Sequence, residues 1–162
     1  MTEAEFLENI KSNQGIIFKL VGLYANDSEE KKDLYQEILL QAWKGLPSYR
    51  GDAKFSTWLY RICLNTIFTL KRKVNRMSYT ENGKLEDISP HVLNQSVAAE
   101  ESARLRMAMR RLPETDRAIL SLHLDGYENS EIAGIIGITN NHVAVKLHRC
   151  KQQLSNLIKI KE

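Results

Sequence analysis

The chain has 162 residues, 43% hydrophobic and 27% charged, a globular balance that excludes wholesale disorder and suits one ordinary domain or two small ones. The formal net charge is only +3, but residues 50–76 carry +6 and residues 142–162 carry +4, with −4 on residues 77–103 between them. One basic patch is usually a solvated face; two split by an acidic stretch raise a bipartite hold on a polyanion to an equal alternative.

Glycine and proline are scarce, strand-like alternation is absent, and apolar residues recur at helical spacing throughout. Thr2 and Glu5 form a capping box ahead of Phe6, Leu7 and Ile10. A second helix is predicted over Gln14 to Tyr24. Asp27-Ser28 then caps a longer one from about Glu29 to Leu46, stopped by Pro47. Tyr49-Arg50-Gly51-Asp52 reads as a turn, and Ser56 or Thr57 opens a long helix to about Arg76. Residues 77–98 lack an apolar period and read as a flexible acidic linker. Helices at about 99–111, 114–124, 129–136 and 140–158 follow. The expected fold is all-α: two small helical domains, 1–76 and 99–162, joined by the 77–98 linker, the second containing a helix-turn-helix.

The helix-turn-helix spans Asn129 to Leu147. Ile132, Ala133 and Ile136 give an apolar face, with small Ala133 where two helices must cross. Gly137 suits the positive φ of the turn, and Thr139 caps the next helix. Val143, Leu147, Cys150 and Leu154 continue the seam. Opposite it fall Asn141, Val145, His148, Arg149 and Gln152, an acid-free face. Asn and Arg can bond adenine and guanine edges, and Val145 can meet a thymine methyl. Lys146, nearer the edge of that face, is expected to meet phosphate. The plainer alternative is a helical hairpin with a solvated outer face.

In the long helix of the first domain, Leu59, Ile62, Cys63, Ile67, Leu70 and Val74 form the apolar stripe. Trp58, Arg61, Asn65, Phe68, Arg72 and Arg76 face the other way. Exposed aromatics between arginines suit unstacked bases, the rings stacking and the guanidinium groups neutralising phosphate. Alternatively, Trp58 and Phe68 pack beneath the first two helices. In helix 29–46, Leu34, Tyr35, Ile38, Leu39, Ala42, Trp43 and Leu46 are expected inside. Leu40 is left as an isolated knob among Asp33, Gln36, Glu37 and Lys44. A single exposed leucine usually signifies nothing, but one ringed by hydrogen-bonding groups has the anatomy of a small protein-protein patch.

These residues carry a family resemblance over nearly the whole chain. Asp33-Leu34-Tyr35-Gln36-Glu37-Ile38-Leu39-Leu40-Gln41-Ala42-Trp43 is similar to region 2.2 of bacterial RNA polymerase sigma factors. Tyr49-Arg50-Gly51-Asp52, then Phe55-Ser56-Thr57-Trp58-Leu59-Tyr60-Arg61-Ile62 with Asn65-Thr66, resembles regions 2.3 and 2.4. Leu112-Pro113-Glu114, Asp116-Arg117, Glu131-Ile132-Ala133, Gly137-Ile138-Thr139 and Val143 with Leu147-His148-Arg149 resemble region 4. With room for regions 2 and 4 only, the chain resembles the extracytoplasmic-function group of the sigma-70 family.

The resemblance implies promoter-specific initiation with core RNA polymerase and promoter DNA as partners. Asp33, Gln36, Glu37 and Leu40 would dock on the β′ clamp, region 4 would meet the β flap, and an anti-sigma factor would be a further partner. The loop at 47–55 and the following helix, through Arg50, Lys54, Trp58, Arg61, Asn65, Phe68 and Arg72, would read a melted −10 element. Asn140, Asn141, His142, Val145, Lys146, His148 and Arg149 would meet a duplex −35 element. Two positions depart from the family. Glu128 replaces the usual capping Ser, so Asn129 or Ser130 is expected to cap, and Ala144 replaces a common basic residue, which shifts the expected base contacts to Asn141, His148 and Arg149.

Cys63 and Cys150 lie far apart on apolar faces and read as reduced, buried thiols. With four scattered His they give no metal-ligand spacing, and no catalytic carboxylate cluster is present, so no metal, no cofactor and no enzymatic activity are expected. No apolar run is long enough to span a bilayer, and a cytoplasmic location without membrane insertion is expected. The rival function is a stand-alone helix-turn-helix regulator with an N-terminal sensing domain. It would need a ligand pocket or phosphoacceptor within residues 1–76, and none is visible in the sequence.

Overall fold

The computed structural model describes residues 1–77 and 97–159, with side chains over 1–75 and 100–158. Among the described residues the chain forms eight α-helices and one 3₁₀ turn, and no strand. The chain divides into two compact units, Met1–Ile88 and Ser89–Glu162. Most of the 77–98 linker lies outside the described residues, although Met77 ends one helix and Val97 opens another.

In the first unit α1 (Glu3–Ser12) begins at the Thr2 capping box, with the Glu5 amide donating to the Thr2 hydroxyl at 3.2 Å and the Thr2 amide to the Glu5 carboxylate at 2.8 Å. α2 (Gln14–Tyr24) follows after one residue. α3 (Ser28–Gly45) is capped by Asp27, whose carboxylate accepts from the Glu30 amide at 2.7 Å. It gives way to a 3₁₀ turn, Leu46–Ser48, with Pro47 in its first turn, where a missing N–H costs nothing. α4 (Phe55–Met77) starts one residue before the predicted serine. Its first bond runs from the Trp58 amide to the Lys54 carbonyl, because the Phe55 ring is drawn into the core rather than left outside a polar cap.

α2, α3 and α4 pack on one another and α1 covers α2. Their core joins Ile17, Leu20 and Tyr24 with Leu34, Ile38 and Ala42, and with Leu59, Tyr60, Cys63 and Ile67. The core expected for α3 and α4 needs correction. Trp43 is 46% exposed, because the i, i+4, i+8 row of Leu34, Ile38 and Ala42 faces the core and Phe6 covers only an edge of the indole, at 5.4 Å. Tyr35, Leu39 and Leu46 are half-buried. On α4 Val74 is exposed and Ile62 and Leu70 are half-buried, while Tyr60, Leu64 and Thr66 are buried beside Leu59, Cys63 and Ile67.

The second unit comprises α5 (Val97–Arg110), α6 (Glu114–Leu124), α7 (Asn129–Ile136) and α8 (Asn140–Lys159). α6 and α7 both pack on α8, which also carries α5. Ile119, Leu122, Ile132, Val143 and Cys150 are fully buried. Ile135 takes the buried place expected for Ile136, which is only half-covered. Gly137 ends α7 at φ +88, the left-handed conformation that L side chains resist, and its amide donates to the Ala133 carbonyl at 2.8 Å. Glu128, not Asn129 or Ser130, is the N-cap of α7 and makes no side-chain cap bond, its chain being a methylene too long for the short Asx or Ser reach. Thr139 accepts from the His142 amide at 3.1 Å and so opens α8.

Candidate nucleic-acid interface

Two basic surfaces arise on different helices, α4 and α8. On the first unit, the loop between the 3₁₀ turn and α4 is braced by aromatic rings. Tyr49 lies 5.8 Å from Phe55 and 5.1 Å from Trp58, and Phe55 lies 5.3 Å from Trp58 and 6.4 Å from Phe6. The Tyr49 hydroxyl donates to the Ala53 carbonyl at 3.0 Å, and Gly51 takes φ +80 within the loop so closed. Arg50 and Lys54 are exposed on it. A cleft of about 460 Å³ opens alongside, lined by Met1, Glu5, Asn9, Tyr49, Arg50 and Gly51.

Along α4, Arg61, Asn65 and Arg72 are exposed, whereas Trp58 and Phe68 are half-buried. Phe68 meets Tyr24 of α2 edge-on at 5.9 Å. The picture of two free stacking rings between arginines therefore does not hold. Trp58 belongs to the cluster that fixes the loop, and Phe68 packs on α2, the alternative the spacing left open. Lys71 of the same basic helix is paired with Glu30 of α3 at 2.7 Å. A second groove, of about 220 Å³, runs between α3 and α4 past Glu37, Asn65 and Lys73.

The outward face of α3 presents Asp33, Gln36 and Leu40, with Glu37 half-buried and bonded to the Gln41 amide group at 2.8 Å. Leu40 is 45% exposed and is not alone, since Trp43 lies one turn further along. The apolar part of this surface is larger than the sequence suggested.

On α8, Asn140, Asn141, His142, Val145, His148 and Arg149 are all exposed. Lys146 is not at the edge of that face. Its ammonium donates to Oδ1 of Asp116 in α6 at 3.2 Å, and Asp116 is buried. The spacing held the signal: Lys146 stands between Val143 and Cys150 on the i, i+3, i+7 seam. Both cysteines are buried. Desolvation pushes the Cys63 thiol from 9.0 up to about 12. It pushes Cys150 up to about 11, helped by the Asp116 charge. Among the described residues, no three His, Cys, Asp or Glu side chains cluster as metal ligands would, and no helix is long and apolar enough to cross a membrane.

Comparison with known proteins matches two stretches of the chain to family models. The sigma-70 region 2 family model matches residues 10–77, and the sigma-70 region 4 model matches residues 102–154. The chain is 28% identical over 143 residues to the ECF RNA polymerase sigma factor SigM of Mycobacterium tuberculosis, covering 88% of this chain and 71% of the relative. It is 30% identical over 140 residues to the RNA polymerase sigma factor YlaC of Bacillus subtilis, covering 83% and 81% respectively. In fold it matches the sigma factor RpoE from Bartonella quintana, solved with the anti-sigma factor NepR, with a TM-score of 0.75, 19% identity, and coverage of 99% and 98%.

Proposed function

The chain belongs to the sigma-70 family of RNA polymerase sigma factors, in its extracytoplasmic-function group, and directs promoter-specific transcription initiation; on that premise we propose how its residues divide the task. Residues 1–76 form the polymerase-docking and −10 domain, 77–98 the linker, and 99–162 the −35 domain. Asp33, Gln36, Glu37 and Leu40 dock on the β′ clamp of core RNA polymerase, with Trp43 widening the apolar centre of the contact. An apolar core rimmed by polar groups suits a protein partner, and the acids would repel DNA.

The −10 element is held as a melted strand by Arg50, Lys54, Arg61, Asn65 and Arg72 around the braced loop. Here Trp58 and Phe68 act from below, keeping the loop and helix in shape rather than stacking on bases as free rings. The −35 element is read as duplex by Asn140, Asn141, His142, Val145, His148 and Arg149 of α8, whose N-terminal turns carry the exposed polar groups a major groove requires. The chain supplies recognition and the core enzyme supplies the chemistry, in the cytoplasm. An anti-sigma protein is a further proposed partner, by analogy with the structural relative solved with one bound.

The observation that carries the −35 assignment is the acid-free exposed face of α8, the second helix of a helix-turn-helix whose turn is closed by Gly137. Footprinting of the chain with core RNA polymerase on a promoter it transcribes tests the whole division. Protection is expected at both elements, lost at the upstream one alone when residues 99–162 are removed. Loss of the downstream footprint alone would reverse the assignment.

A further inference from the structure

Lys146 belongs to the helix proposed to read duplex DNA, yet its charge points into the protein. Its ammonium lies 3.2 Å from Oδ1 of Asp116, with side chains 21% and 6% exposed respectively. Asp116 stands in the first turn of α6, and the Cys150 thiol, one turn beyond Lys146, lies 3.9 Å from the carbonyl oxygen of the same Asp116. Two successive turns of α8 are thus seated on a single residue of α6.

The rest of the α8 seam is apolar: Val143, Leu147, Cys150 and Leu154. That seam sets which face of α8 is buried, but the hydrophobic effect is non-directional and adds no single preferred contact angle of its own. A charge-assisted hydrogen bond is directional, and a buried carboxylate deprived of its partner is costly, so this pair adds a restraint on the rotation of α8 about its axis. At 3.6 residues per turn, fixing the azimuth of Lys146 also fixes those of Val145, His142 and Arg149 beside it.

We propose that Lys146 is a positioning residue whose ion pair with Asp116 sets the rotation of α8 about its axis, and so decides which base edges Asn141, Val145 and Arg149 reach. It does not serve as a phosphate anchor. This rests on α8 being the duplex-reading helix.

The test uses the full chain with core RNA polymerase, selected against promoter DNA randomised across the upstream element. Four proteins are compared at a temperature where circular dichroism shows each folded: wild type, Lys146→Arg, Lys146→Met, and the double variant Asp116→Asn with Lys146→Met. The double variant removes both charges, leaves no unpaired buried carboxylate, and decides the question should Lys146→Met fail to fold. With the pair removed, discrimination at the positions read by α8 should fall about tenfold, with the salt dependence of binding unchanged. Lys146→Arg should restore discrimination.

A salt slope reduced by about one with base preference intact would make Lys146 a phosphate contact and overturn the proposal. So would unchanged discrimination in the folded double variant, which would reduce the pair to simple stabilisation. A wild-type protein with no preference over the randomised element would overturn the reading of α8 itself and the proposal with it. That failure is distinguishable, because in the other cases wild-type selectivity survives.

Discussion

Replacing Leu40 by arginine separates docking from folding, because Leu40 is 45% exposed while Ile38, two residues earlier on α3, is fully buried. Complete burial of a leucine is worth about 1.5–3 kcal/mol. The half of Leu40 that folding covers therefore contributes roughly 1 kcal/mol, and the aliphatic stem of arginine recovers part of that. Leu40→Arg should accordingly melt close to wild type. Ile38→Arg loses the whole apolar contribution and forces an unpaired charge into the core, a combined cost of several kcal/mol. Against the roughly 5 kcal/mol at the low end of small-domain stability, that unfolds the unit. On the polymerase, a charge pressed into a desolvated contact should act as a hot-spot loss of about 2 kcal/mol or more, near thirtyfold in affinity. Thermal melting and titration against labelled core enzyme measure both quantities. Should Leu40→Arg melt as Ile38→Arg does, Leu40 is a core residue. If it folds normally and binds core enzyme as wild type does, the α3 face is not the docking surface.

Three further outcomes follow from the same geometry. Arg149→Ala should cost about 1–3 kcal/mol of promoter binding and relax preference at one or two upstream base pairs; selection that returns the wild-type preference would put the reading face elsewhere on α8. Gly137 sits at φ +88 with open space where a Cβ would stand, so Gly137→Ala should lower the stability of the second unit by about 1–2 kcal/mol through backbone conformation alone, and an unshifted melting curve would contradict this. Burial raises both thiols, Cys63 to about 12 and Cys150 to about 11. Their contribution to stability is therefore complete below about pH 9 and is lost as pH rises through those values. At pH 8 a thiol reagent should label neither cysteine in the native protein and both once guanidinium unfolds it; fast native labelling would refute the burial.

Much of the fold was legible because it is written in short-range rules. The Thr2–Glu5 box, the Asp27 cap, Pro47, Gly137 and the Val143-to-Leu154 seam each act within a turn or two of chain. What periodicity missed depends on which neighbouring helix arrives and how far it reaches. Trp43 is left exposed because α1 covers only its edge, Trp58 is claimed by Tyr49 of the preceding loop together with Phe55 of its own helix, and Phe68 by Tyr24 of α2. The positions proposed for docking and promoter contact were visible as polar faces, and most of them are exposed. The Lys146–Asp116 pair was not, because a helical wheel of α8 alone cannot show a partner thirty residues away on α6.

As a sigma factor, this chain gives core RNA polymerase its choice of promoter. Run-off transcription with core enzyme on a library of promoter fragments measures that choice directly. Discrete transcripts should appear only when the chain is added, from fragments sharing one upstream and one downstream element, and should vanish when the α3 face is broken by Leu40→Arg. Tight, sequence-specific duplex binding by the chain alone, with no chain-dependent transcript from core enzyme, would contradict it and identify a stand-alone helix-turn-helix regulator instead.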